Sequence, residues 1–551
     1  MIRRFALLAC TIGLIAGCGE GAPSDRSDKQ KRPKNLLLIS IDSLRADHVG
    51  AYGYVPPFQP EKRITPHLDQ VAARGLLFEN CWTSTSWTLP AHASLFTGLD
   101  DVGHGVIDDA FRIDPQHQTL AEHLTAAGYR CRGIFSGPFL EERFGMDRGF
   151  ESWRSARISE TELIAEVEAW EQRRIESGAP APTRPEIEAL RRQAANWDVT
   201  GHRLNEQALR DLEELHATER PWMLFLHYYD PHYDYLPGKA DPDLARAFDP
   251  TYSGPYDGVR WYFSPAVRDF TPPFRRRIPE RDLQHVESLY DGEIHFVDRQ
   301  IGSILTRLEK LGIREQTVIA IVSDHGDEFF DRGGIGHRSH LHVELAQAVF
   351  LLEGAKQMPV GLAVPGPVSF VDLAPTLIAA TGAPPWAQPH GANRLPGNSA
   401  PAAGAFSHLF TDVPPHGARH FESWRNERFT VIRAFAAPDP DSEMLDLVQA
   451  RWPDGTPAYY VFDREVDPEE LRPIRPDNPA YRMAVEAMRV DFLARESRRA
   501  TLPRSPLSDR LADRAAAAEI AMLEELGYLD ARGAEAPAQP LGPLPEPELA
   551  W

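Results

Sequence analysis

The sequence predicts an α/β protein: a large, mainly parallel central sheet flanked by helices. Two observations predict it. Three continuous apolar runs, rather than alternating ones, read as strands covered on both faces, and helical patterns lie between them. The first run, Asn35-Leu36-Leu37-Leu38-Ile39-Ser40-Ile41, ends at Asp42. The second, Trp222-Met223-Leu224-Phe225-Leu226, leads into His227 and then Asp230-Pro231-His232. The third, Thr317-Val318-Ile319-Ala320-Ile321-Val322-Ser323, ends at Asp324-His325-Gly326. Between them, Thr119–Gly128 and Asp298–Gly312 carry helical apolar spacing and close on glycine. Ligands of such sheets bind outside the carboxyl ends of the strands. One Asp after a strand is ordinarily a turn or a cap; three such ends, two of them with histidines, point to one site.

The chain has 551 residues, room for one large domain and a smaller one. Its 42% hydrophobic and 25% charged content is that of a globular protein. A formal net charge of −21 argues against a nucleic-acid partner, which needs a basic face. At the N-terminus, Arg3 and Arg4 precede an apolar run from Phe5 to Gly17, too short to cross a bilayer of roughly 30 Å. Ile15-Ala16-Gly17-Cys18 resembles a bacterial lipobox, so residues 1–18 read as a lipoprotein-type signal peptide and Cys18 as the acylated residue. The expectation is an exported protein held at the cell envelope, in the periplasm or at the outer membrane, by that lipid anchor alone. Residues 19–34 read as a flexible tether and 531–551 as a disordered tail. Besides Cys10 and Cys18 only Cys81 and Cys131 remain, and the sequence does not say whether they pair. Ser159–Ala195 reads as a charged, solvated helical excursion. Gly238–Pro279, long and aperiodic, is the candidate wall or lid for substrate.

The chemistry centres on Thr85-Ser86-Trp87-Thr88-Leu89-Pro90-Ala91-His92. Proline in a first turn with threonine two residues earlier marks a helix start, and taken alone Thr88 is a helix cap. A helix start also favours an anion, so a hydroxyl there can attack phosphorus while backbone N–H groups hold the oxygens. Threonine needs activation to do so, for instance by a metal. Asp42, Asp324 and His325, with Thr88 as the fourth ligand, make an oxygen-rich set with one imidazole. That suits Zn²⁺ or Mn²⁺ more than Ca²⁺. His232 and His337 are candidates to hold phosphate oxygens, to protonate the leaving group, or to bind a second metal with Asp230.

The chain resembles the sulfatase family of the alkaline phosphatase superfamily over nearly all of Asn35–Asp530. The matching stretches include Ser40-Ile41-Asp42-Ser43-Leu44-Arg45, Thr88-Leu89-Pro90-Ala91-His92-Ala93-Ser94-Leu95-Phe96-Thr97-Gly98, His227-Tyr228-Tyr229-Asp230-Pro231-His232, Tyr290-Asp291-Gly292-Glu293 and Ser323-Asp324-His325-Gly326. Val371-Asp372-Leu373-Ala374-Pro375-Thr376, Asp467-Pro468-Glu469 and Leu526-Gly527-Tyr528 continue the series. The resemblance implies a catalytic domain over 35–400, a smaller C-terminal α+β domain over 401–530, and hydrolysis of an ester on a small molecule, glycan or lipid. Three departures matter. Sulfatases carry a Cys or Ser, oxidised to formylglycine, at the position of Thr88 and an Arg at that of His92. Threonine cannot become formylglycine, because its extra methyl would leave a ketone. Ser43 replaces the second of the family's paired aspartates, which weakens a Ca²⁺ site, and Arg332 stands where many members carry histidine. A threonine nucleophile resembles the nucleotide phosphodiesterases and phosphoethanolamine transferases of the same superfamily. The expectation is therefore hydrolysis of a phosphate mono- or diester through Thr88, with His92 and Asp230 on the substrate side. The alternatives are a sulfuric ester hydrolase, a phospho-group transferase and a non-catalytic binding lipoprotein.

Overall fold

The structure, a computed structural model, describes residues 35–176, 198–258, 267–268, 276–354, 359–398, 404–411, 419–434 and 459–499. The expected leader, tether, tail and Leu526-Gly527-Tyr528 stretch lie outside these residues. So do parts of Ser159–Ala195 and of Gly238–Pro279.

The three apolar runs are neighbouring central strands. They are β1 (Asn35–Ile41), β5 (Trp222–Tyr228) and β6 (Thr317–Ser323). The other strands of this sheet are β2 (Leu76–Trp82), β3 (Arg130–Phe135), β4 (Ser152–Ser155), β7 (Phe350–Glu353) and β8 (Leu362–Ser369). Their order is β8-β2-β7-β6-β1-β5-β3-β4, with a two-residue strand, Gln347–Ala348, paired to β2. β1 lies parallel to both β5 and β6, with Ser40 opposite His227 and Val322. Only β7 runs antiparallel to its path neighbours.

Both faces of the sheet are buried, which is why the runs are continuous. Leu36, Leu38, Met223, Phe225, Val318, Ala320 and Val322 pack into one core. Leu37, Ile39, Ile41, Leu224, Leu226, Ile319 and Ile321 pack into the other. Burying each such side chain is worth about 1.5–3 kcal/mol. The first core includes Leu89, Ala91, Ala93, Leu95 and Phe96 of helix α2 (Thr88–Thr97). The second includes residues of α1 (Pro66–Arg74), α5 (Gly201–His216) and α6 (Glu280–Lys310). The period of two then assigns the strand ends: Ser40, Asp42, His227 and Asp324 share the parity of the residues facing α2.

The helices refine the expectations. α3 (Leu120–Ala126) starts at a capping box in which Thr119 and Glu122 satisfy each other's backbone N–H. α4 (Glu160–Glu176) covers the start of the charged excursion. The helix expected from Asp298 begins at Glu280. Gly292 concealed its first half, yet a Cβ there would lie 2.9 Å from Pro237, so the glycine serves close packing rather than a break. Within Gly238–Pro279 the chain makes short helical turns at Pro237–Ala240 and Pro242–Arg246. Cys81 and Cys131 are both buried and free. No described helix is long and apolar enough to cross a membrane.

α7 (Leu373–Thr381) completes the first core. The remaining strands are β9 (Ala405–Thr411), β10 (Arg419–Arg425), β11 (Phe429–Ala434) and β12 (Tyr460–Asp463). They form an antiparallel sheet in chain order, packed with α8 (Pro479–Arg499) around Trp424, Val431, Val461 and Met488. This sheet meets the larger one behind the site. The Ser407 hydroxyl donates to the Thr83 carbonyl and the His408 N–H to that of Ser84, both at 2.6 Å. The buried Arg425 and Glu470 pair at 3.1 Å, and Arg425 also donates to the Leu341 carbonyl.

Candidate active site

Thr88 opens α2 as its first helical residue. The cap position belongs to Trp87, whose backbone is extended, so Thr88 is not the helix cap that its sequence context alone suggests. Its hydroxyl is 3.3 Å from His325 Nε2. His325 is fixed through Nδ1, which hydrogen-bonds the Gly326 carbonyl at 2.8 Å and turns Nε2 inward. That nitrogen lies 3.6 Å from Asp42 Oδ1 and 3.4 Å from Asp324 Oδ2. A Cβ on Gly326 would meet the Glu344 carbonyl at 1.9 Å, so this turn admits only glycine.

The two carboxylates are held at one oxygen and bare at the other. Asp324 Oδ1 accepts the N–H of Ser43 at 3.1 Å and of His325 at 2.9 Å. Asp42 Oδ1 accepts the Ser43 hydroxyl at 3.0 Å. Asp42 Oδ2 and Asp324 Oδ2 are buried with no hydrogen-bond partner. A buried polar group left unmade costs about 1–3 kcal/mol, more when charged. Burial raises the pKa of both acids, and Asp42 adds to the rise at Asp324. Burial opposes a charge on His325, but Asp324 and Asp42 outweigh it and raise that imidazole. Ligand atoms from Asp42, Asp324 and His325 lie within 4.8 Å of one another. The residues fit a divalent cation, which would satisfy both orphaned oxygens. The imidazole anchored at its far nitrogen is the usual support of a metal ligand.

His232 and His337 come together beside this group, with ring centroids 5.1 Å apart and His337 4.4 Å from His325. Each is anchored at Nδ1: His232 to the Tyr233 carbonyl at 2.8 Å, His337 to Asp327 Oδ1 at 3.0 Å. Burial lowers His232 to about 4 and His337 well below its usual value. Burial pushes Asp327 up to about 6, and Tyr235 donates to its other oxygen.

Two residues expected on the substrate side have protein partners. The Asp230 carboxylate is turned to the helix start at Thr200. It accepts the Thr200 hydroxyl at 2.8 Å and the Gly201 N–H at 3.1 Å, at the start of α5. His92 lies one turn below Thr88, fully buried, with Nδ1 2.8 Å from the Thr88 carbonyl and Nε2 2.9 Å from the Ser40 hydroxyl. It supports the helix start from beneath. Ser43, read from the sequence as a lost ligand, instead orients both carboxylates, with its backbone at φ 56°. Arg332 binds Glu344 at 2.9 Å and the carbonyls of Glu469 and Glu470, so it ties the two sheets' loops together outside the cluster. Asp327 and Ser40 were missed, although Ser40 lies within the first apolar run and Asp327 directly follows Asp324-His325-Gly326.

The profile of the family described as Sulfatase matches residues 34–383. The chain belongs to the sulfatase family. As a sulfatase-family protein it is an ester hydrolase of a metal-dependent type. It is 23% identical to the arylsulfatase K of Bos taurus over 421 residues, covering 71% of this chain and 72% of that protein. It is 22% identical to the ulvan-active sulfatase of Formosa agariphila, covering 87% and 78% respectively. A structure solved with its substrate D-glucosamine-2-N,6-O-disulfate matches with a TM-score of 0.62 at 17% identity, over 86% of this chain and 99% of that one. The phosphonate monoester hydrolase of Agrobacterium radiobacter matches with a TM-score of 0.58 at 19% identity, over 85% and 96%. The fold is thus the sulfatase fold, with its large flanked sheet and small antiparallel C-terminal sheet.

Proposed function

We propose that this sulfatase-family protein hydrolyses a phosphate mono- or diester through a covalent phospho-threonine at Thr88. One observation carries the reading: the buried Thr88 hydroxyl sits at a helix start, 3.3 Å from His325 Nε2, where a Cys or Ser would be needed for formylglycine. Formylglycine hydrate expels sulfate through its second hydroxyl; a threonine ester has none and must be cleaved by water or an acceptor. That route suits phosphoryl transfer.

Asp42, Asp324, His325 and Thr88 would hold the cation, Zn²⁺ or Mn²⁺ by their donor set, which lowers the pKa of the Thr88 hydroxyl and offsets charge on the ester. Thr88, its proton released to solvent, forms through Oγ1 the bond to phosphorus as the bond to the leaving oxygen breaks. The N–H groups of Thr88 and Leu89, in the first turn of α2, would hold the equatorial oxygens. His232 and His337, anchored at Nδ1, present Nε2; the anionic ester favours a proton there, and that proton passes to the leaving oxygen. Water then attacks phosphorus, losing a proton to the imidazole that had protonated the leaving group, the bond to Oγ1 breaks, and the Thr88 oxygen takes a proton back from solvent. The lipid-anchored, envelope location expected from the lipobox belongs to the same proposal.

The sulfatase names of the curated relatives favour a second reading, sulfate-ester hydrolysis. Matched 4-nitrophenyl sulfate, phosphate monoester and phosphodiester, with and without Zn²⁺ or Mn²⁺, separate the two. Metal-dependent turnover of a phosphate ester, at least tenfold above sulfate, is expected. Turnover of sulfate alone would overturn the phosphate preference.

A further inference from the structure

A second group of ligands lies directly beneath the first. His92, His227 and Asp324 bring ligand atoms within 4.8 Å of one another, and all three are fully buried. His92 Nδ1 lies 3.7 Å from Asp324 Oδ2, the oxygen that also faces His325, but is held by the Thr88 carbonyl, so Nε2, beside the Ser40 hydroxyl, is the nitrogen that would bind. His227 Nε2 is 3.5 Å from Asp42 Oδ2, the other orphaned oxygen. The His227 ring has no hydrogen-bond partner at either nitrogen although none of it reaches solvent. A neutral imidazole always carries one N–H, so a donor and an acceptor are both left bare in the centre of the protein. His227 occupies the last position of β5 on the face toward α2, opposite Ser40 and beyond the apolar Met223 and Phe225 of the first core. Gly137 makes room for the ring, since a Cβ there would lie 2.9 Å from His227 Cε1.

We infer that His92, His227 and Asp324 bind a second divalent cation, with Asp324 Oδ2 shared between the two sites. Two imidazoles and a carboxylate suit Zn²⁺ or Co²⁺. The position differs from the one the sequence suggested, where Asp230 would have joined His232 and His337; that carboxylate is committed to α5. The second cation lies below the nucleophile, since His92 is one helical turn into α2 from Thr88. It would not touch substrate. Its part is to fix Asp324, and with it the upper cation, and to hold the start of α2 in register with the strand ends.

The inference rests on the cation site proposed above, and metal counting separates the two. The full-length protein is stripped, titrated with Co²⁺ followed by its visible absorption, and analysed for bound metal after gel filtration. Two equivalents per chain are expected, falling to one in His227→Phe, with a native circular dichroism spectrum in both. One equivalent in the unmodified protein would overturn the second site and leave the first standing. None would overturn the first as well. Two in both proteins would place the second cation elsewhere and overturn this assignment. Should His227→Phe fail to fold, Gly137→Ala, which presses on the ring without removing a ligand, is expected to weaken the second equivalent at least tenfold.

Discussion

Thr88 and Ser43 are the residues on which the chemistry turns. Thr88→Ala removes the nucleophile and leaves the helix start, whose cap is Trp87, intact. Turnover is expected to fall at least about 10³-fold with an unchanged melting temperature of the cation-free protein, checked by steady-state assay and calorimetry. Ser43 has a subtler part, since its hydroxyl and N–H orient the two metal-facing carboxylates. Ser43→Ala keeps the N–H and loses the hydroxyl, so metal affinity is expected to drop about 10–100-fold, the usual effect of removing a ligand's outer support. Ser43→Asp adds a hard oxygen at a backbone position, φ 56°, that aspartate tolerates. The ratio of Ca²⁺ to Zn²⁺ affinity, measured by calorimetric titration, is expected to rise.

Strand and helix elements differ in how openly the sequence displays them. β1, β5 and β6 are legible because both faces are buried and every position is apolar until the chain reaches the site. β2 and β3 are not, because Glu79, Asn80, Arg130 and Arg132 interrupt them; those side chains reach the sheet's periphery and find partners such as Glu151 and Pro365 there. Asp42, Thr88, Asp324, His325, His232 and His337 were identifiable as one cluster since each sits at a strand end or helix start. Asp230 is harder to read, because a carboxylate after a strand looks the same whether it faces a ligand or holds the start of the helix that precedes that strand. His227 passed as the end of an apolar run, and only the parity of β5 reveals that it faces α2. At this scale the Arg425–Glu470 pair joins β10 to the loop after β12, with neither side chain exposed. Glu470→Gln strands a buried guanidinium and is expected to cost about 3–5 kcal/mol, read from denaturant unfolding. Arg425 outweighs burial and holds Glu470 well below its usual 4.5. A depressed acid stabilises the fold above its unfolded pKa, and that contribution drains away as pH falls below about 4.5. The variant is therefore expected to lose less stability than the unmodified protein between pH 5 and pH 3.

Across the whole molecule the acidic balance of −21 and the site agree once the cation is counted. Two buried carboxylates with raised pKa values, each with a bare oxygen, destabilise the cation-free fold. A ligand that binds only the folded state stabilises it by RT ln(1 + [L]/Kd), about 2.7 kcal/mol at a hundredfold excess over Kd. Chelation is accordingly expected to lower the melting temperature and Zn²⁺ to restore it. No such dependence is expected in a variant lacking both Asp42 and Asp324 side-chain charges. The small sheet contributes by bracing Thr83 and Ser84 through Ser407 and His408, so the segment leading to Thr88 is clamped from behind.

The most direct test of the covalent threonine is rapid-quench mass spectrometry during turnover of a 4-nitrophenyl phosphodiester by the Zn²⁺-loaded protein. A phosphoryl ester on the peptide carrying Thr88, formed at the rate of nitrophenol release and absent in Thr88→Ala, is the predicted result. Turnover with no such adduct, or undiminished turnover by Thr88→Ala, would contradict the account.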